Sequence, residues 1–166
     1  MREARNSPVA YWRDTFEHQT NGATKVNRQE IFNTVYTHLL TQNSRCTGGG
    51  IIKSCMYRSP DRTRKCAIGA LIPDEKYNPL MEGISISAIY DRDTESPRQT
   101  RAIEILKATL IELDIDLRGD FDLLVDLQGI HDGRDASEWQ EELEQLADAY
   151  GLTIPELPNL ENTNDR

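Results

Sequence analysis

Ile51-Ile52-Lys53-Ser54-Cys55-Met56-Tyr57-Arg58-Ser59-Pro60-Asp61-Arg62-Thr63-Arg64-Lys65-Cys66-Ala67-Ile68-Gly69-Ala70-Leu71-Ile72 carries apolar residues on either side of a Ser-Pro-Asp turn signal. How it is read decides between an all-helical fold and a mixed one. A hairpin centred between Pro60 and Asp61 sets Cys55 opposite Cys66. Pro-Asp is not a favoured two-residue hairpin turn, so a wider loop is expected, and a symmetric widening keeps that register. The run from Ala67 to Ile72, stopped by Pro73, fits a strand or a short buried helix equally by periodicity. Cys66 is read here as opening a short helix.

Upstream of the Gly48-Gly49-Gly50 break the pattern is helical. Asn27 is a good N-cap, Glu30 stands at the capping-box position, and Ile31, Val35, His38 and Leu39 share one face of a helix ending near Asn43. Downstream, Ile84, Ile86 and Ala88 alternate with serines and read as a short strand. Ile103, Leu106, Leu110 and Leu113 set a second long helix. A third runs from about Asp120 to Asp132. A fourth opens on Ser137 with Gln140 as its capping box, carries the stripe Trp139, Leu143, Leu146, Ala147 and Tyr150, and ends on a left-handed Gly151 with Leu152 as its hydrophobic partner. The fold class expected is α+β, predominantly α-helical, with four main helices and a small β-hairpin. Residues 27–152 form one compact domain, 1–26 a flexible or docked extension with Val9, Trp12 and Phe16 on one side, and 153–166 a polar tail.

With 166 residues the chain is long enough to bury a core without staples. No run reaches the roughly 18 apolar residues of a membrane span, and the N-terminus lacks the apolar stretch of a signal peptide. Three cysteines without a repeated spacing argue against a disulfide scaffold. A cytoplasmic protein is expected. Residues 1–100 carry 14 Lys and Arg against 11 Asp and Glu, whereas 101–166 carry 5 against 17, so the net charge of −9 resides in the second part. That half repels phosphate backbones, which disfavours general nucleic-acid binding, and suits a basic protein surface. It reads equally as the solvated faces of helices.

The run from Asn27 to Leu40, then Cys55-Met56-Tyr57-Arg58-Ser59-Pro60, Lys65-Cys66-Ala67-Ile68-Gly69-Ala70-Leu71-Ile72-Pro73-Asp74-Glu75-Lys76-Tyr77, Met81-Glu82-Gly83 and Leu127-Gln128-Gly129-Ile130-His131-Asp132 resemble a family of small uncharacterised phage and bacterial proteins. Cys-Ala-Ile-Gly and Leu-Ile-Pro-Asp-Glu-x-Tyr are its most specific pieces. The resemblance implies a compact cytosolic domain from a mobile element and supplies no catalytic residue. The glycine triplet and the long N-terminus depart from its pattern.

Three constellations bear chemistry. Cys66 at a helix start, beside Arg64 and Lys65, is a candidate nucleophile, with His131 as base and Asp126 or Asp132 as orienter. Asp132 is the poorer orienter, since neighbouring side chains leave a helix about 100° apart. Cys66 also reads as a small buried core cysteine. Cys46, Cys55 and Cys66 with His38 or His131 form a permitted zinc set, but the spacing matches no finger or ribbon, and no metal is assigned. Arg45, Lys53, Arg58, Arg62, Arg64 and Lys65 around the lone Asp61 are candidate anion-binding residues for a nucleotide or other phosphorylated ligand, though Arg58 can pair instead with Glu82 or Asp74. No cofactor motif occurs. The reading that follows is a non-enzymatic acidic binding protein, an inhibitor or anti-defence protein of phage type that occupies a host or defence protein surface. The alternatives are sequestration of a phosphorylated ligand through residues 45–65 and a cysteine-dependent hydrolase.

Overall fold

The computed structural model describes residues 26–48, 56–91 and 96–158. Five α-helices make up its frame: α1 (Arg28–Gln42), α2 (Ala67–Leu71), α3 (Pro97–Glu112), α4 (Phe121–Gly133) and α5 (Trp139–Tyr150). Short 3-10 turns at Pro79–Met81 and Ile86–Ile89 lie between α2 and α3, and a third at Ala136–Glu138 runs into α5. α1 packs on α2, α4 and α5, and α3 is covered by the first two 3-10 turns. Ile31, Phe32, Val35 and Leu39 of α1 meet Ile68, Leu106, Leu110, Leu123, Leu124, Leu127, Trp139 and Leu143 in one continuous core. Val26 and Leu152 are half-buried against it.

Local chemistry sets the helix ends. The Asn27 carboxamide accepts from the Glu30 N–H at 3.0 Å, and the Glu30 carboxylate accepts from the Asn27 N–H at 2.9 Å, completing the expected capping box. Asn43 ends α1 in a left-handed conformation (φ 45°). Gly151 does the same for α5 (φ 64°), with its N–H on the Asp148 carbonyl and the Leu152 N–H on the Ala147 carbonyl. These two bonds are the Schellman pattern. The capping box is Asp135 with Glu138, two residues before the Ser137 and Gln140 reading, and α5 itself begins only at Trp139. Glu138 takes the Asp135 N–H at 3.0 Å and the chain turns through a 3-10 segment first. Beyond α5 the chain is tied back to α1, because the Gln29 carboxamide donates to the Thr153 carbonyl at 2.7 Å and accepts from its N–H at 2.8 Å.

Among the described residues the expected β-hairpin is absent. The pairings between described residues are isolated bridges, parallel between Val26 and Ile115 and antiparallel between Arg58 and Lys65, and Thr47 is a further single bridge residue. The latter is out of register with a hairpin that opposes Cys55 to Cys66, which would set Arg58 against Thr63; Cys55 itself lies outside the described residues. The physical reason is competition for donors. The N–H groups of Tyr57 and Arg58 both go to the Glu82 carboxylate at 3.0 Å. The turn is closed instead by Ser59 and Asp61: the Ser59 hydroxyl and the Thr63 N–H and hydroxyl donate to one Asp61 oxygen, and the Arg64 N–H donates to the Ser59 hydroxyl. Cys66 then caps α2. The mixed fold class is therefore replaced by a helical one.

The Ile84–Ala88 strand is also corrected. Ser85 caps the 3-10 turn Ile86–Ile89, and Ile86 and Ile89, three apart, both face the core. The Val9, Trp12 and Phe16 patch lies outside the described residues.

Candidate functional site

Two groups hold the segment that precedes α2. Arg58 is buried, its guanidinium donating to the Gly69 carbonyl at 2.6 Å and to the Ile72 carbonyl, while pairing with Asp74 at 2.9 Å and lying 5.3 Å from the centre of the Tyr77 ring. It supplies donors to the C-terminal carbonyls of a five-residue helix, of which the Gly69 carbonyl otherwise has only the 3.3 Å bond from the Ile72 N–H. Glu82 answers it from the other side, accepting the Tyr77 hydroxyl at 2.8 Å besides the two backbone N–H groups. Glu82 takes the Arg58 backbone and Asp74 takes its side chain. The proximity has a steric consequence, since a Cβ on Gly69 would stand 2.1 Å from the Tyr57 carbonyl oxygen.

Cys66 sits at the start of α2, as the sequence reading expects, but buried. Its sulfur accepts from the Gly69 N–H at 3.2 Å. Burial pushes the thiol pKa far up, against the smaller lowering effect of that N–H. Cys46 is buried as well, its thiol donating to the Arg64 carbonyl at 3.2 Å, and burial raises its pKa to about 11.

His131 is fully buried on α4 and stacked on Trp139, with ring centres 5.4 Å apart. Its Nε2 accepts the Cys46 N–H at 3.1 Å, so the ring proton resides on Nδ1, which donates to the Asp132 carboxylate at 2.7 Å. Asp132, not Asp126, is thus the orienter. Gln128, one turn back, overcomes the unfavourable angle by donating to that carboxylate at 2.6 Å, while Asp126 takes the Tyr150 hydroxyl. Both ring nitrogens serve contacts other than Cys66. A cavity of about 280 Å³ beside Cys66 is lined by Tyr57, Gly83, Gln128 and Asp132 among others, without His131. The arrangement pins the Arg45–Thr47 loop to α4 and leaves both His131 nitrogens engaged by groups other than the thiol.

Zinc ligation meets the same geometry. Among the described residues no group of three or more His, Cys, Asp or Glu side chains is arranged to hold a metal ion. His38 is half-buried with Nε2 on the Lys65 carbonyl at 3.2 Å, and burial lowers its pKa. Cys55 is outside the described residues.

The candidate cations are dispersed. Arg45 donates twice to the Arg134 carbonyl at the end of α4, at 2.6 and 3.1 Å, and lies 3.6 Å from Asp135. Arg58 faces inward. Lys65 shares Asp74 with it at 3.0 Å, and the lysine is the main reason the Asp74 pKa is lowered. Arg62 is exposed at the turn with φ 60°, and Lys53 lies outside the described residues. Arg64 alone among them is half-buried with no ion pair among the described residues. Glu82, the residue that organises this region, enters the sequence reading only as a partner for Arg58. The signal for it is its place in Met81-Glu82-Gly83, where a left-handed Gly83 (φ 80°) turns the chain.

The outward surface of the second half is different in kind. Asp122, Asp126 and Asp132 on α4, and Glu141 and Asp148 on α5, are exposed. No helix among the described residues is long and apolar enough to cross a membrane. In comparisons with protein-family models, curated proteins and solved structures, the chain matches none.

Proposed function

We propose that the protein is a non-enzymatic binding protein that presents the acidic surface of residues 101–166 to a basic surface on a partner protein. The observation that supports this reading is the contrast in how charge is used. Arg45, Arg58 and Lys65 are paired within the fold, whereas carboxylates such as Asp122, Glu141 and Asp148 point outward along α4 and α5. Such a field accelerates encounter with an oppositely charged partner and excludes phosphate backbones. The resemblance to phage and bacterial proteins supplies the setting, in which the partner is a host or defence protein whose surface is occupied. The locked Cys66 and His131 favour binding over hydrolysis.

The test is capture from a bacterial lysate on immobilised protein, beside a D122N/E141Q/D148N variant. A partner retained by the native chain at low salt, and lost on the variant and at 0.5 M salt (a Debye length of only about 4 Å), is the expected result. Equal retention by the variant would refute the acidic surface as the contact.

A further inference from the structure

A cleft of about 900 Å³ runs between one face of α1, the Thr63–Arg64 turn and Pro158. In a chain with 28 acidic against 19 basic residues, its ten lining residues include no carboxylate. Its cation is Arg64. Arg64 is half-buried, without an ion pair among the described residues, and its guanidinium makes one long bond, 3.4 Å, to the Arg45 carbonyl. Thr37 and Thr41, four apart and so on the same face of α1, also line the cleft, and their hydroxyls make no hydrogen bond among the described residues. Other polar groups in the wall are already engaged. The Gln42 carboxamide clamps both the N–H and the carbonyl of Lys65, and the Thr63 hydroxyl donates to Asp61. His38 donates Nε2–H to a carbonyl, which leaves Nδ1 an acceptor.

We propose that this cleft binds a small phosphorylated ligand, with the phosphate on the Arg64 guanidinium beside the Thr37 and Thr41 hydroxyls. A guanidinium edge donates two parallel bonds, and the two hydroxyls add two more donors. The three free oxygens of a phosphate monoester take all of these, whereas the fork alone occupies both oxygens of a carboxylate. The cleft has the volume of a small-molecule site, leaving room for a body such as a sugar or base. The Nδ1 acceptor of His38 and the carboxylate-free wall suit a hydroxyl-bearing body. Of the six basic residues singled out in the sequence, Arg64 carries the contact, and apart from Pro158 the site lies wholly before residue 101, outside the acidic half.

The test is calorimetry and thermal shift on the full chain with inorganic phosphate, ribose 5-phosphate, AMP and, as the uncharged control, ribose. A rise in Tm that grows with phosphomonoester concentration is expected, with no rise for ribose. R64Q is expected to bind at least tenfold more weakly and T37V/T41V several-fold more weakly, with R62Q unchanged. The backbone bonds of residue 64 survive in R64Q, and an unchanged Tm without ligand checks its fold; T37V/T41V tests the site independently of that residue. Phosphate binding as tightly as the monoesters would support the anion contact and assign the cleft to the free ion. No response to any phosphate, or R64Q binding as the native chain does, would overturn the proposal.

Discussion

The segment from Met56 to Glu82 and the α4–α5 pair are of similar length and are held in opposite ways. Around α2, order comes from directional polar bonds: a buried guanidinium on two helix-end carbonyls, a carboxylate on two adjacent N–H groups, and an aspartate collecting three donors in a turn. Between α4 and α5 it comes from apolar stripes, with Leu123, Leu124, Leu127, Trp139 and Leu143 buried and carboxylates outside. Five residues of helix cannot stabilise themselves, since nucleation costs more than one turn returns. α2 therefore depends on side chains brought from elsewhere. A twelve-residue amphipathic helix such as α5 needs only a surface to bury its stripe on.

The comparison can be broken first at its two largest contributors. Trp139→Ala should cost about 3–5 kcal/mol, because a fully buried indole leaves a cavity and the stack on His131 is lost. Arg58→Met should cost about 3 kcal/mol, because the Ile72 carbonyl is orphaned and the Gly69 carbonyl keeps only the long bond from the Ile72 N–H. Urea unfolding measures both, and a loss below about 1 kcal/mol for Arg58→Met would show that polar bonds do not hold the α2 region.

Gly69→Ala follows, at about 1–3 kcal/mol. Its Cβ meets the Tyr57 backbone, which cannot rotate away as a side chain could, so the effect should fall at the upper end. Gly151→Ala is smaller, about 1 kcal/mol, since space is open there and only the left-handed φ is penalised. A larger loss at Gly151 than at Gly69 would reverse the comparison.

The smallest effect is at Asp61. The Ser59 hydroxyl, followed by the Thr63 N–H and hydroxyl, holds its pKa at about 2, below the ordinary 3.8. A carboxyl with a lower pKa folded than unfolded contributes above its unfolded pKa and loses that contribution as pH falls from about 4 to about 2. The acid limb of a stability-against-pH curve should therefore be shallower in Asp61→Asn over that window. An unchanged limb would mean the turn does not depend on the carboxylate.

The same division explains what was legible. α1, α3, α4 and α5 were visible because burying one face of a helix forces a repeat near 3.6 residues, and Asn27, Glu30 and Gly151 mark ends by chemistry acting within a few residues. The stretch from Ile51 to Ile72 has no such period. Its runs resembled strands because strand patterns record apolar residues near a turn and not where the N–H groups go. Spacing undervalues the pairing of His131 with Asp132 for a related reason: the angle between neighbours on a helix disfavours it, and the bond from Gln128 that holds the carboxylate is a side-chain interaction that spacing does not encode.

By itself, then, the sequence determined the four long helices, the Asn27 and Gly151 caps and the uneven charge, since these follow from neighbours within one or two turns. The tertiary structure alone decided that Arg58 and Glu82 replace a β ladder, that Cys66 and His131 are buried and engaged elsewhere, and that Arg64 faces a cleft with α1. Each of these depends on which distant group reaches a donor or acceptor first. An unmet buried hydrogen bond costs about 1–3 kcal/mol, enough to override a local preference for strand worth less than that.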